Sequence, residues 1–365
     1  MEYPNTERLI YVNYYNNIVK NIYRMEMNKE ETKILRYLSD SMGNGGNILS
    51  MSDGIRKKYG PAYYPNIYNT IMRLEKKGIL STIIDGNNRQ IRLDMKNPLS
   101  IYYISEAENQ KTMGIEIQQG LLNELLDLAL DSYILTMCSL KHEKHIKINR
   151  IELLIIIRSH EQDGSLISNL LKIESLHNTK IDPIILTSNE FSDMLDGDNL
   201  NSIKDLITDK SILYNTEGFW GLIRKYKLDG KYQNLIKFPD ELGQSELAYN
   251  YNRFGYSLYE DTKGGKELSL EDTIFLMNQA REIRIRYGAF ILLKKNIRKI
   301  NLMYLYYIFK RRDQLNVLKG ILSTTEEFCD KEDRRKISTL ERLIPNRKSE
   351  AYDKKLIKKY ILQYN

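Results

Sequence analysis

The first part of the chain alternates between stretches of helical apolar spacing and short breaks rich in glycine. Three helices are predicted, over residues 29–41, from Ser50 or Ser52 to Lys58, and over residues 64–77. A glycine-rich run at residues 43–46 ends the first helix. Gly78 stands just past the third, where a helix is often closed by a left-handed residue.

A β-hairpin is predicted directly after the third helix. Two β-type runs, residues 81–84 and 89–93, flank the sequence Asp85-Gly86-Asn87-Asn88. An Asp-Gly pair between such runs is a strong hairpin signal. Upstream of the three helices, the apolar spacing predicts one further helix within residues 5–25. Two roles are open for that helix, self-association into a homodimer and packing on its own domain.

Three helices followed by a hairpin is the element order of winged-helix DNA-binding domains. The segment from Tyr68 to Leu80 resembles the recognition helix of archaeal and bacterial winged-helix regulators, in which a Leu-Glu-x-x-Gly-Leu/Ile phrase precedes the wing. The resemblance covers the three helices and the hairpin. It implies double-stranded DNA as the partner of this domain.

The side chains expected to bind DNA follow from the helical repeat. Ile67, Ile71 and Leu74 share one face of the third helix and are expected to pack on the first two helices. The residues expected to contact DNA are Asn66, Asn69, Arg73, Lys76 and Lys77 on this helix, with Arg89 and Arg92 on the wing. In the major groove Asn suits adenine edges and Arg suits guanine edges. A winged helix used for protein contacts is the alternative, but the polar, basic outer face favours DNA.

The middle of the chain predicts a mixed α/β sheet. Strands are predicted over residues 133–138, 151–158 and 180–186, with helices over 113–130, 165–177 and 188–195. The second strand is almost wholly apolar, which is typical of a central strand that is buried on both faces. Alternation of strand and helix favours one layered sheet covered by helices.

This element order resembles the small nucleotidyltransferase domain of the polymerase-β-like superfamily, especially its minimal archaeal forms. The phrases from Ile181 to Phe191 and from Ser211 to Trp220 resemble the later strand and the close of that domain. Such domains carry Gly-Ser after the first strand, Asp-x-Asp on the second and a third carboxylate on a later strand. In this chain those positions hold Cys138-Ser139, Arg150 with Glu152, and Asp182.

The departures from that motif affect the metal and phosphate positions. Two-metal phosphoryl transfer needs carboxylates that hold Mg²⁺. Arg150 places a permanent cation at one of those positions, and Cys138 adds a Cβ where glycine would let backbone amides approach a phosphate. We therefore expect no catalytic residues, no metal and no cofactor here. Arg150 is expected to pair with Glu152 or Asp182, or alternatively to hold a nucleotide phosphate without turnover.

The last third of the chain is basic and predicted to be helical. Helices are predicted over residues 245–259, 269–295, 301–312, 314–322, 332–343 and 349–364. Basic side chains are dense between residues 281 and 312, and Tyr304, Tyr306 and Tyr307 lie among them. Such interleaving fits a nucleic-acid surface. Tyrosine at helical spacing more often belongs to a core.

Charge divides the chain into three parts and adds to the case for a polyanionic partner. The formal net charge is +5 over residues 1–100, −9 over 101–217 and +11 over 218–365, which sums to the +7 of the whole chain. No apolar run long enough to cross a bilayer and no apolar leader core occurs, so we expect a cytoplasmic protein. The two cysteines are expected to be reduced thiols, and His142 and His145 to be solvated loop residues.

These observations predict a multidomain α+β protein with three parts. Residues 1–100 form a winged-helix domain, 101–222 a degenerate nucleotidyltransferase-like domain, and 223–365 a basic, all-helical domain. The predicted function is DNA binding as a transcriptional regulator or architectural factor, with the middle domain as a scaffold or interaction module. Two alternatives are an active nucleotidyltransferase that modifies a protein or RNA, and a plasmid or mobile-element protein that binds a replication origin.

Overall fold

The computed structural model describes residues 27–85, 88–112, 117–140, 150–196, 201–228, 244–257, 265–344 and 352–364. These residues form a mixed α+β structure with two small sheets and a helical C-terminal part. The helix predicted within residues 5–25 and the loop histidines His142 and His145 lie outside the described residues. None of the described helices combines the length and the apolar content that crossing a bilayer requires.

The N-terminal unit is a three-helix arrangement with a small antiparallel sheet. Its elements are α1 (Lys29–Asp40), β1 (Asn44–Gly46), α2 (Ile48–Tyr59), α3 (Tyr64–Lys76), β2 (Leu80–Asp85) and β3 (Asn88–Leu93). The strand order is β1-β3-β2, and β2 pairs with β3 along its whole length. Ile67, Ile71 and Leu74 are fully buried, as their spacing predicts. Burial of these three side chains holds α3 against the rest of the unit and leaves the opposite face of the helix toward solvent.

The glycine-rich run does more than end the first helix, because it also forms the short strand β1. Gly43 and Gly46 have positive φ angles of 87° and 75°, which glycine adopts without strain. At Gly45 a Cβ would lie 2.4 Å from the sulfur of Met51, so any other residue would force the Met51 side chain to move. Asn47, and not Ser50 or Ser52, caps α2 by accepting a hydrogen bond from the Ser50 amide.

The α/β unit contains a four-stranded sheet in the order β6-β5-β4-β7. Its elements are α5 (Gln119–Ala129), β4 (Ile134–Leu140), β5 (Arg150–Ile157), α6 (Asp163–His177), β6 (Lys180–Thr187), α7 (Ser188–Leu195), α8 (Ser202–Leu206) and β7 (Lys210–Tyr214), and α9 (Thr216–Leu228) follows the last strand. Strands β5 and β6 are parallel, and β4 is antiparallel to both β5 and β7. The parallel register places Glu152 beside Asp182 and Arg150 beside Lys180.

A helix that the sequence did not predict joins the first two units. This helix, α4 (Pro98–Thr112), packs on α1, α9 and β7. Its buried side includes Ser100, Ser105 and Glu108, so the apolar pattern that marks an amphipathic helix is missing. The predicted domain boundary at residue 100 falls at the start of α4, and the one at residue 222 falls inside α9.

The C-terminal helical unit is built around aromatic side chains. Its helices are α10 (Gln244–Arg253), α11 (Leu270–Gln279), α12 (Ile283–Asn296), α13 (Leu302–Arg311), α14 (Leu315–Glu326), α15 (Lys331–Leu343) and α16 (Lys354–Tyr364). The single helix predicted over residues 269–295 is two helices, because Ala280 is extended and ends α11. Tyr304, Tyr306 and Tyr307 are fully buried. They belong to the core, so they do not form a surface for bases.

A buried ion pair links the N-terminal unit to the α/β unit. The Lys210 ammonium lies 3.3 Å from Glu108 Oε1, and both side chains are fully buried. Lys210 also donates to the carbonyl and hydroxyl oxygens of Ser39, near the end of α1, at 3.1 and 3.2 Å. Burial lowers the pKa of Lys210, an effect that Glu108 opposes. The rings of Phe219 and Trp220 flank the ammonium at 5.3 and 5.1 Å.

We predict that Lys210→Met lowers the free energy of unfolding by about 3 kcal/mol or more, because Glu108 would remain buried without its cation. Adding Glu108→Gln should restore part of the loss. Urea denaturation followed by circular dichroism measures both effects. The control is Lys58→Met, which removes a half-exposed lysine 2.6 Å from Asp40. Asp40 keeps the Lys111 ammonium at 2.9 Å, so the loss should be less than about 1 kcal/mol. Equal losses for the two lysine variants would contradict the prediction.

Candidate functional site

The solvent side of α3 carries polar and basic side chains. Asn66, Asn69 and Lys76 are exposed, and none of their side chains makes a hydrogen bond or ion pair with the described residues. Arg73 and Lys77 are also exposed. All five predicted DNA-contacting residues of this helix are therefore at the surface, and three of them have no partner in the described structure.

Arg73 and Lys77 differ from the other three because they hold a buried acid. The Arg73 guanidinium lies 3.2 Å and the Lys77 ammonium 3.4 Å from Oε1 of Glu31, whose side chain is 4% exposed. Glu31 in turn accepts a hydrogen bond from the Asn28 amide and completes the capping box of α1. These two cations thus also stabilise the contact between α3 and α1.

The β2–β3 hairpin lies beside this helix and adds a further cation. Arg89 is exposed on β3, and Arg92 is half-buried. Ile84, opposite Arg89 in the strand pairing, is largely exposed. Residues 86–87 at the tip lie outside the described ranges.

Three tyrosines at the start of α3 were not singled out from the sequence. Tyr63, Tyr64 and Tyr68 are exposed, and the rings of Tyr64 and Tyr68 lie 6.2 Å apart. The local pattern gave no signal for the exposure of Tyr64, since it stands three residues before Ile67 and in line with the apolar repeat of the helix. Exposed aromatic rings beside polar and basic groups extend the candidate binding face.

The second candidate site is the edge of the four-stranded sheet at the amino ends of β5 and β6. The resemblance to nucleotidyltransferases implied metal-binding acids at this edge. Arg150 Nε donates a hydrogen bond to Asp182 Oδ2 in a charge-assisted contact. The Asp182 side chain is 1% exposed, so it needs a cationic partner. Arg150 therefore contacts one of the two acids that the sequence named as its partners.

Arg150 also binds the carboxyl end of α13. One of its terminal nitrogens donates to the carbonyl oxygens of Lys310 and Arg311 at 3.1 and 2.6 Å. The last carbonyls of a helix have no partner within the helix and carry its negative dipole end. One guanidinium thus binds an oxygen of a buried carboxylate and a helix terminus together.

Glu152, the other acid of this edge, is held by side chains of α13. Arg311 Nε lies 2.8 Å from Glu152 Oε1, and the Tyr307 hydroxyl donates to Oε2 at 3.1 Å. Burial raises the pKa of Glu152, and the nearby Arg311 opposes this shift. Both acids are therefore paired with cations of the protein. Helix α13 carries the two side chains that hold Glu152.

A third contact joins α13 to the sheet. The Lys310 ammonium lies 3.0 Å from Glu174 Oε2 and donates to the Ile181 carbonyl at 2.6 Å. Sequence reasoning missed the roles of Tyr307, Lys310 and Arg311, because they are more than a hundred residues from the acids they contact. The dense positive charge around them indicated a nucleic-acid surface, whereas Lys310 and Arg311 pair with acids of the α/β unit.

The predicted phosphate-facing positions lie inside the sheet. Cys138 and Ser139 are buried on β4, which pairs with β5 on one side and β7 on the other. Burial raises the pKa of the Cys138 thiol to about 12. Both residues thus lie in a strand that is paired on both sides, and a buried Cβ occupies the position where the motif has glycine.

Searches against protein-family models, curated proteins and solved structures found no significant match. Among the described residues, no three His, Cys, Asp or Glu side chains are grouped so that they could share a metal ion.

We predict that Arg150→Met lowers the free energy of unfolding by about 2–4 kcal/mol, because Asp182 would stay buried without a cation. The two carbonyl oxygens at the end of α13 would also lose their donor. Adding Asp182→Asn should recover part of the loss, since the unpaired charge is then removed. Chemical denaturation of the single and double variants measures these differences.

Lys180→Met is the matched control for this prediction. Lys180 lies beside Arg150 in the strand register and makes an exposed ion pair of 2.7 Å with Asp313. Losing that pair should cost less than about 1 kcal/mol. If Arg150→Met destabilised the protein no more than Lys180→Met, the Arg150 contacts would not hold α13 on the sheet.

Proposed function

We propose that this chain is a cytoplasmic protein that binds double-stranded DNA through a winged helix formed by its N-terminal unit. In this proposal α3 enters the major groove and the β2–β3 hairpin contacts the backbone. The α/β unit acts as a scaffold without catalytic activity. The observation that carries the proposal is the outward face of α3, where Asn66, Asn69 and Lys76 are exposed and have no partner among the described residues.

The chemistry of this face suits a duplex. Asparagine side chains pair with adenine edges in the major groove, and exposed lysines neutralise phosphates. Asn66, Asn69 and Lys76 follow one another at helical spacing, so they can face one groove together. In this proposal the exposed Arg89 on the hairpin contacts the phosphate backbone. Protein contacts remain the alternative use of such a domain, and an exposed face that is polar and basic favours DNA over a protein partner.

The scaffold role is supported by how firmly the N-terminal unit is attached. Besides the buried Lys210 pair, Arg224 on α9 donates to the Met95 carbonyl at 2.8 Å, just after β3. The Lys227 ammonium donates to the Met42 carbonyl at the end of α1. These contacts use none of the outward-facing residues of α3, so that face stays open while the unit is held in place.

A transferase function receives no comparable support. In-line phosphoryl transfer needs acids that are free to hold a divalent ion. Here Asp182 is bound by Arg150, and Glu152 is bound by Arg311 and Tyr307. The two DNA-binding alternatives, a promoter regulator and an origin-binding protein, would use the same face of α3.

We predict that selection from a random duplex library with the full chain enriches a defined sequence. On that sequence Asn69→Ala should weaken binding by about 1–3 kcal/mol, the worth of one good base contact. Lys76→Ala should weaken binding to all duplexes alike and lower the slope of log affinity against log salt by about 1. Mobility-shift titrations at several salt concentrations measure both effects.

Lys331→Ala is the matched control, since it removes an exposed lysine from the first turn of α15, outside the N-terminal unit. It should leave affinity and salt slope unchanged. Wild-type affinity in both the Asn69 and the Lys76 variants would remove α3 from the interface. Mapping the sites that the protein binds across the genome then distinguishes the two DNA-binding alternatives. A regulator would occupy many promoters, and an origin-binding protein would occupy a single site.

A further inference from the structure

A pocket of about 230 Å³ lies between the sheet and the C-terminal helical unit. One wall comes from residues that follow the carboxyl ends of the parallel strands β5 and β6, among them His160 and Glu190. The other wall comes from the start of α13 and from α15. In open α/β sheets, the carboxyl ends of parallel strands are the usual place for a ligand. None of the residues that line this pocket belongs to the N-terminal unit.

The floor of the pocket is apolar. Ile300, Leu302, Met303 and Leu340 line it, and each is less than one tenth exposed. A small aliphatic group can pack on the surface that these side chains form. Removing this apolar area from water favours binding.

One side of the rim offers hydrogen-bond donors and a positive charge. Lys336 Nζ donates to the Ile297 and Ile300 carbonyls at 3.0 and 3.3 Å, which leaves one of its three protons for a further acceptor. The backbone N–H groups of Leu302 and Met303, in the first turn of α13, make no hydrogen bond among the described residues. A carboxylate placed here would meet an ammonium and free amides together.

The pocket is also lined by an acid with one unused oxygen. Glu190 Oε2 lies 2.7 Å from His160 Nε2 and accepts from the Thr187 amide and hydroxyl at 2.8 and 2.9 Å. In the described structure Oε1 makes no hydrogen bond, so it is left for another donor. An ammonium group would satisfy it.

The charges around the rim are balanced. His160 Nδ1 also lies 2.8 Å from Asp163 Oδ2, and these hydrogen bonds to Asp163 and Glu190 raise the pKa of His160 to about 10. At neutral pH the imidazolium and the two carboxylates together carry one negative charge. Lys336, which lines the same pocket, offsets that charge, so a ligand with one charge of each sign fits better than an ion of either sign.

We propose that this pocket binds an apolar α-amino acid about the size of leucine. Its carboxylate would lie at Lys336 and the first amides of α13, its ammonium at Glu190 Oε1, and its side chain on Ile300, Leu302, Met303 and Leu340. The volume agrees with this size: a cavity of roughly 150 Å³ holds the six carbon atoms of benzene, so 230 Å³ suits about nine non-hydrogen atoms. The proposal does not depend on DNA binding.

Isothermal titration calorimetry on the full chain tests it with three probes of matched shape. L-Leucine carries both charges, 4-methylpentanoate lacks the ammonium, and 3-methylbutylamine lacks the carboxylate. Leucine should bind about tenfold or more tightly than either partial probe, since each of them leaves one rim group without its partner. Absence of leucine binding, or binding of 4-methylpentanoate that equals leucine, would overturn the proposal.

Two variants assign the binding to this pocket. Lys336→Met should weaken leucine about tenfold or more and leave 3-methylbutylamine unchanged, because only the carboxylate loses its partner. Leu340→Trp should fill the floor and abolish the binding of all three probes. Lys331→Met is the control on the same helix, and circular dichroism confirms that each variant is folded. Wild-type leucine affinity in both pocket variants would place the site elsewhere and contradict the assignment.

Discussion

The contact between Arg150 and Asp182 is the central polar link between the four-stranded sheet and the C-terminal helices. Asp182 is buried on β6, and a buried carboxylate is costly unless a cation and hydrogen bonds accompany it. Arg150 supplies the cation and at the same time binds the end of α13. Together with the contacts that Tyr307, Lys310 and Arg311 make, that guanidinium holds α13 on the sheet.

The same contact determines what the sheet edge can do. A guanidinium stays charged at any physiological pH, so it cannot give way to a divalent ion by losing a proton. With Glu152 held by Arg311 and Tyr307, the two acids act as anchor points for a helix. The pocket surrounded by His160, Glu190 and Lys336 lies at the other end of the strands.

The sequence predicted the elements that carry a clear apolar repeat and missed those that depend on distant contacts. The three N-terminal helices, the hairpin and the strands β4 to β6 follow from local spacing and turn residues. Helix α4 buries Ser100, Ser105 and Glu108, so its pattern gave no sign of it. The pairing of Arg311 with Glu152 joins residues that are far apart in the chain, and no local pattern encodes it.

The most direct test of this account is whether the acids of the sheet edge bind a divalent ion. Electron paramagnetic resonance can follow the signal of free Mn²⁺ as the ion is titrated into the full chain. We predict that the free signal grows in proportion to added Mn²⁺, with the same result for Asp182→Asn. Loss of the signal up to one equivalent in the wild type, and its return in Asp182→Asn, would show a metal site. That result would contradict the role of these acids in holding α13 on the sheet.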